Sequence, residues 1–312
     1  MINSVRNTVL SILNKNNYGY ISPSDFNLYA KQAQMEIFEE YFSNYNKTVN
    51  AENTRTSGTG YADQNKPIEE TLEWFSVTKF LSQYAGNVFY SPSQVTTGDT
   101  FYMINKVLCY PSILDTGSNT SVVASQLVDS GGLFTTLEIV AGDIVVNTTT
   151  GAVARVVSVL SNTAISITAN IFLTFPVGYA IIDASVFKQA DRVSLSKISL
   201  LLNSNLTPPN SLFPSYTQES DKLTVYPSSI LTKGQVEAQY FRHPQDPKWT
   251  YISLSGGEPV FDQSQLDYQD FELPLEDEFK LATKILQYCG ISIREMEVAQ
   301  FGMVQEQQQQ QQ

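Results

Sequence analysis

Residues 140–171 read VAGDIVVNTTTGAVARVVSVLSNTAISITANI. Three Val- and Ile-rich runs stand out: Asp143–Asn147, Ala152–Leu160 and Ala164–Ile171. Thr148-Thr-Thr-Gly151 and Ser161-Asn-Thr163 separate them. Clusters of Gly, Asn, Ser and Thr favour turns, and β-branched runs between such clusters favour strands. In the third run Ile165, Ile167, Ala169 and Ile171 alternate with Ser166, Thr168 and Asn170, the period of a half-buried strand. Val140–Asp143 reads as a turn entering the first strand. The expectation is a small antiparallel β-barrel or sandwich over 118–184, inserted at an exposed loop.

Outward from this segment the chain stays β-like and then becomes helical at both ends. Strands are expected at Asn87–Tyr90, Thr100–Tyr110, Lys222–Tyr226 and Gln235–His243. In the last of these Val236, Ala238, Tyr240 and Arg242 share a face. A short helix is expected over 2–14, with Val5, Val9, Ile12 and Leu13 on one side. Ser22-Pro-Ser-Asp25 then combines an N-cap serine, a proline at the first helical position and an acid three residues after the cap. Phe26, Ala30, Ala33, Ile37 and Tyr41 follow at helical spacing, widened by Tyr29, Phe38, Phe42 and Tyr45. That stripe is broad enough to touch two neighbours. Residues 47–66 read as a long polar connection, and a helix restarts at Pro67 and runs to Leu81 on Ile68, Leu72, Phe75 and Phe80. Near the C-terminus Pro274 precedes Glu276, Asp277 and Glu278, acids suited to a helix start. Phe279, Ala282, Ile285, Leu286 and Cys289 form its expected buried stripe, and Gly290 fits the position past its end. A last helix over Ile293–Val304 carries Met296, Phe301 and Met303 into a glutamine tail.

The fold class expected is therefore α+β. A helical bundle forms from the N- and C-terminal segments around a β-rich middle. One domain comprises 1–117 and 185–312, and 118–184 is the insert.

Composition bounds the function. The chain has 312 residues, 42% hydrophobic and 16% charged, with 17 Tyr and 17 Phe. That length supports two domains with sizeable cores. Large aromatics are enriched at protein interfaces as well as in cores. The net charge of −12 repels DNA phosphates and argues against sequence-specific nucleic-acid binding, while remaining compatible with a passage through which DNA slides without adhering. Cys109 and Cys289 make neither a disulfide framework nor a zinc pattern. No secretory h-region is visible at the start. The most apolar stretch, Phe172–Ile182, is too short to span a bilayer. Together these lead us to expect a protein made in a reducing cytoplasm, with no membrane association.

Few residues offer chemistry. Asp262, Asp267, Asp270 and Glu272 contain the carboxylates a glycosidase pair would need, but a solvated turn-rich surface accounts for them better. His243, the single histidine, has no candidate nucleophile beside it in sequence. Gly58-Thr59-Gly60 lacks the strand and the Lys-Ser/Thr pair of a phosphate loop. Tyr240, Phe241 and Trp249 are a conceivable carbohydrate platform, with core or interface packing the commoner use. No catalytic residue, cofactor or metal ligand is expected.

Three stretches carry a family likeness. The first is Ile21-Ser-Pro-Ser-Asp-Phe-Asn-Leu28 with Ala30-Lys-Gln-Ala-Gln-Met-Glu-Ile-Phe-Glu-Glu-Tyr-Phe42. The second is Arg242-His-Pro-Gln-Asp-Pro-Lys-Trp249. The third is Phe271-Glu-Leu-Pro274 with Lys284-Ile-Leu-Gln-Tyr-Cys-Gly-Ile291. Together they resemble structural virion proteins of tailed phages infecting Bacteroidetes, crAss-like phages included. Those proteins look like head-to-tail connectors (rings or adaptors) that dock under the portal. Val140–Ile171 separately resembles a small β domain carried by phage structural proteins.

The likeness implies a homo-oligomeric, dodecameric ring in the virion, assembled in the host cytoplasm. It implies contacts with portal protein and with neighbouring connector or tail proteins. Genomic DNA would pass through without sequence-specific binding. Ile37, Phe38, Tyr41, Phe42, Ile293, Met296, Phe301 and Met303 are the residues expected at partner interfaces. A tail-fibre or receptor-binding component is the alternative, and a glycan-degrading tail enzyme ranks third.

Overall fold

The computed structural model describes residues 1–13, 21–54, 66–253 and 256–293. In chain order, helices α1 (Ile2–Leu13), α2 (Pro23–Thr54) and α3 (Lys66–Glu73) come first. Strands β1 (Ser76–Phe80), β2 (Gln83–Ala85), β3 (Val88–Tyr90) and β4 (Phe101–Cys109) follow. Then come β5 (Ile113–Ser118), β6 (Ser121–Val123), β7 (Gln126–Val128), β8 (Ile144–Asn147), β9 (Val153–Ser161), β10 (Ala164–Ile167) and β11 (Gly178–Ile182). Next are β12 (Lys188–Arg192), α4 (Leu195–Leu202), β13 (Ser215–Gln218), β14 (Lys222–Tyr226) and β15 (Val236–Arg242). The chain closes with β16 (Tyr251–Ser253), β17 (Pro259–Phe261) and α5 (Glu278–Ile293). The protein is thus α+β with a β-rich middle.

The chain forms two compact units: Met1–Phe75 with His243–Gln312, and Ser76–Arg242. The second unit holds both large sheets. One has eight strands in the order β1-β15-β4-β12-β13-β14-β3-β2, and only β12 and β13 run parallel. The other has seven antiparallel strands, ordered β5-β11-β8-β9-β10-β7-β6, all drawn from 113–182. The seven-stranded sheet packs its own core of Leu127, Phe134, Val145, Val156, Ile165 and Ile181. The eight-stranded sheet buries Phe89, Val107, Leu223, Val225, Ala238 and Tyr240.

A third cluster, Tyr110, Ile144, Val146 and Ile182 with Phe80 and Leu108, joins the two sheets. Polar groups lock the same seam. The Tyr110 hydroxyl donates to the Glu237 carboxylate at 2.6 Å, and Arg155 lies 3.7 Å from it. Lys233 Nζ donates to the carbonyls of Thr148 and Thr149. Gly234, at φ +80°, sits where a Cβ would collide with Val146, so only glycine suits both the backbone and the close approach.

The first unit pairs the two chain ends. α1 and α2 both pack on α5, and α3 packs on α2. Phe26, Ala30, Ala33, Ile37 and Phe38 are buried along α2, and Leu281, Ala282, Ile285, Leu286 and Cys289 along α5. Burying a side chain of Phe or Ile size contributes about 1.5–3 kcal/mol, which makes these stripes the main source of the unit's stability.

Several expectations are corrected. The helix expected over Pro67–Leu81 stops at Glu73, and Ser76–Phe80 pair antiparallel with β15. β-Branched Val77 and Thr78 suit the strand, and the ladder overrides the helical spacing of Phe75 and Phe80. The run Ala164–Ile171 pairs only as far as Ile167. Helix α2 continues through 47–54, residues assigned to the connection. Gly290 lies inside α5 and does not end it. Phe279, placed in the buried stripe, is 59% exposed, because its helix turns that position away from α2 and α1. The expected last helix at Ile293–Val304 lies outside the described residues, apart from Ile293.

Candidate functional site

The acids Asp262, Asp267, Asp270 and Glu272, with His243 and Trp249, fall in the first unit, whereas Tyr240 and Phe241 fall in the second. Helix α2 begins as its sequence dictates. Ser22 Oγ accepts the Asp25 amide at 3.1 Å and donates to the Asp25 carboxylate at 2.6 Å, so the helix start caps itself. One turn later, Asn27 grips the backbone of Trp249. Its Oδ1 accepts the Trp249 amide at 2.8 Å, and its Nδ2 donates to the Trp249 carbonyl at 3.2 Å. Two turns on, the buried Gln34 makes a second such clamp. Its Nε2 donates to the Gln245 carbonyl at 2.7 Å, and its Oε1 accepts the Glu272 amide at 3.0 Å. Two side-chain amides of one helix face therefore hold the 245–249 segment and residue 272.

Trp249 is the hub of this arrangement. It is buried, stacks on Tyr251 and Phe261, and carries the Arg6 guanidinium 3.8 Å over its ring. Its indole N–H donates to Asn3 Oδ1 at 3.1 Å. Beside it, Pro23, Asn27, Tyr251, Lys248 and Asp267 border a shallow cleft of about 290 Å³.

Asp267, which borders this cleft, and the other three acids singled out in sequence are committed to structural contacts. Hydrogen bonds from the Ser264 hydroxyl and amide, and then from Gln265, hold the Asp262 carboxyl below its usual range. Asp267 is lowered by its hydrogen bond and ion pair with Lys248. Burial acts to raise Asp270, but bonds from the Met1 ammonium and the amides of Ile2 and Phe271 outweigh it and lower the pKa. Asp270 thereby caps the start of α1. Glu272 accepts the Gln245 amide at 2.8 Å. A glycosidase acid must hold its proton near neutral pH, and the three shifts run the other way. Burial also depresses the His243 imidazole, whose ring lies 5.5 Å from Phe38. Among the described residues no group of three or more His, Cys, Asp or Glu could hold a metal ion. No described helix is long and apolar enough to cross a membrane.

The aromatics Tyr240, Phe241 and Trp249 do not act as one platform. Tyr240 is fully buried in the eight-stranded sheet, where its hydroxyl donates to Asp99 at 2.7 Å, and Trp249 is buried in the other unit.

The expected interface residues divide. Ile37 and Phe38 are fully buried within their own unit, where Phe38 packs edge-on to Phe42 and Phe75. Tyr41 donates to Asp277, and burial followed by that bond raises its pKa. Ile293 is the last residue of α5, and Met296, Phe301 and Met303 lie outside the described residues.

Sequence reading missed the ion-pair ladder joining the two ends. Lys284 is buried to 4% side-chain exposure and reaches Glu36 at 3.2 Å and Glu40 at 2.8 Å, and Lys280 also pairs with Glu40. Tyr288 donates to Glu36 and stacks on Tyr29. The (i, i+4) spacings Glu36/Glu40 and Lys280/Lys284 on two apolar-striped helices were the available signal. Gln34 had one too: it interrupts an apolar stripe, which marks a buried amide needing partners.

No protein-family model matches the sequence, and no curated protein matches it either.

Proposed function

We propose that the protein is a structural virion component of a tailed phage, forming a ring in the head-to-tail connector beneath the portal. On this reading it gives genomic DNA a conduit without sequence-specific contacts and gives tail proteins a platform. A helical bundle made from the two chain ends is the assembling core, and the seven-stranded segment is a β domain inserted into it.

One observation carries the reading. Apart from Arg242, the three separated stretches that bear the family likeness belong to one unit. Asn27 and Gln34 of the first clamp the backbone of the second and of Glu272 in the third. Glu36 and Glu40 of the first meet Lys284 of the third. A likeness spread over distant stretches has a physical basis when those stretches constrain one another. The commitment of the nearby carboxylates to caps and ion pairs also favours a structural role over a hydrolytic one.

Native mass spectrometry of the purified protein, alone and with portal protein, tests the proposal. A closed ring, or a portal complex of matched stoichiometry, is the expected result. A monomer or trimer indifferent to portal would overturn it and move the weight to a fibre or receptor-binding role, for which a glycan array is the next measurement.

A further inference from the structure

The second unit carries an apolar groove with a basic rim. Helix α4 buries only Ile198 against its sheet. Leu200, on the same short helix, is 72% exposed, and Leu201 lies beside it. Together with Val193, Arg192 and Lys197 they line an open groove of about 450 Å³. Neither cation forms an ion pair among the described residues. The first unit carries an exposed apolar turn of opposite charge. Leu275 and Phe279 stand one helical turn apart, 72% and 59% exposed, with Glu276 and Glu278 beside them, and neither acid is ion-paired among the described residues. In a chain of net charge −12, an unpaired basic apolar groove is unusual, and the acidic apolar turn is its natural complement.

We propose that the α4 groove of one copy receives the Leu275–Phe279 turn of a second copy of this chain. The inference rests on the homo-oligomer reading above and identifies the surface that would build it. The two patches differ, so each copy offers one of each. Such a heterologous contact propagates head to tail and closes when its rotation permits. Leu275 and Phe279 supply the apolar surface to be buried, and the Arg192/Lys197 and Glu276/Glu278 rims set register and exclude wrong partners.

Two charge-reversal variants of the full chain test the contact: Arg192→Glu with Lys197→Glu, and Glu276→Lys with Glu278→Lys. In either variant alone, groove and turn carry like charge. Assembly by mass photometry should weaken about tenfold, the scale of a few rim charge pairs. Mixed at equal amounts, every groove faces a turn of opposite charge, and assembly should return. Circular dichroism confirms that each variant folds. Variants that assemble as wild type does would overturn the contact and leave the ring reading standing. Open chains of wild type, broken by either variant and restored by mixing, would uphold the contact and remove the closed ring. A wild type monomeric at every concentration would overturn the contact, and portal binding would then decide the connector reading separately.

Discussion

Replacing Gln34 by alanine should detach the backbone that α2 holds. Gln34 is 2% exposed and makes both of its bonds to main-chain groups, the Gln245 carbonyl at 2.7 Å and the Glu272 amide at 3.0 Å. Truncation removes both bonds and leaves a carbonyl and an amide without partners. An orphaned buried group costs about 1–3 kcal/mol, against a net of about 0.5–1.5 kcal/mol for an ordinary bond. Gln245 is itself exposed, so water can reach its carbonyl and recover part of that loss. The Glu272 amide is only partly exposed and bears most of the penalty. The sum is about 2 kcal/mol, a sizeable share of a typical domain's stability. Because the chain has two compact units, a global melt need not be two-state, and a local readout is preferable. Hydrogen exchange at the Glu272 amide provides one. A loss of about 2 kcal/mol lowers its protection about 30-fold. Protection in the second unit should stay unchanged. If Glu272 protection moved by less than about threefold, the amide clamp would not be what holds this segment.

Other outcomes follow from the same packing. Trp249→Ala should cost about 3–5 kcal/mol, the usual range for removing a buried large aromatic, and should expose the rings it stacks on to fluorescence quenchers; a change under about 1 kcal/mol would show that the hub repacks freely. Cys109 and Cys289 are both buried, with thiols pushed up to about 12 mainly by that burial, so an aromatic disulfide reagent at pH 8 should label neither in the folded protein and both in urea. Burial acts to raise Asp99, but bonds from Lys79 and Tyr240 outweigh it and hold its carboxyl below the ordinary range. The folded pKa is therefore the lower one, and Asp99's stabilisation is present above the unfolded value of about 4 and lost as pH falls through the folded value. An acid titration of Asp99→Asn, followed by circular dichroism, should show less stability lost below about pH 4 than wild type, and superimposable acid limbs would refute the linkage.

The strands at 144–147 and 153–161, the capped start of α2 and the apolar stripes of α2 and α5 were legible in the amino-acid order. Each rests on local rules: period-two alternation, turn residues, a capping serine and helical spacing. Such signals span a few residues and do not depend on distant partners. The acidic balance and the scarcity of Cys and His were legible in the same way, and they narrowed the chemistry available.

Tertiary structure decided what depends on meeting a remote partner. Ser76–Phe80 became a strand because β15 offers it a ladder, although its spacing also suits a helix. Phe279 is largely exposed while Ala282, Ile285, Leu286 and Cys289 of the same expected stripe are buried, since exposure depends on where α1 and α2 lie. Asp270 caps a helix start 268 residues away in sequence, and Gln34 bonds groups 211 and 238 residues away. No local pattern encodes such pairings: hydrogen bonds and ion pairs are short-ranged, and only the folded chain brings these groups within about 3 Å of each other.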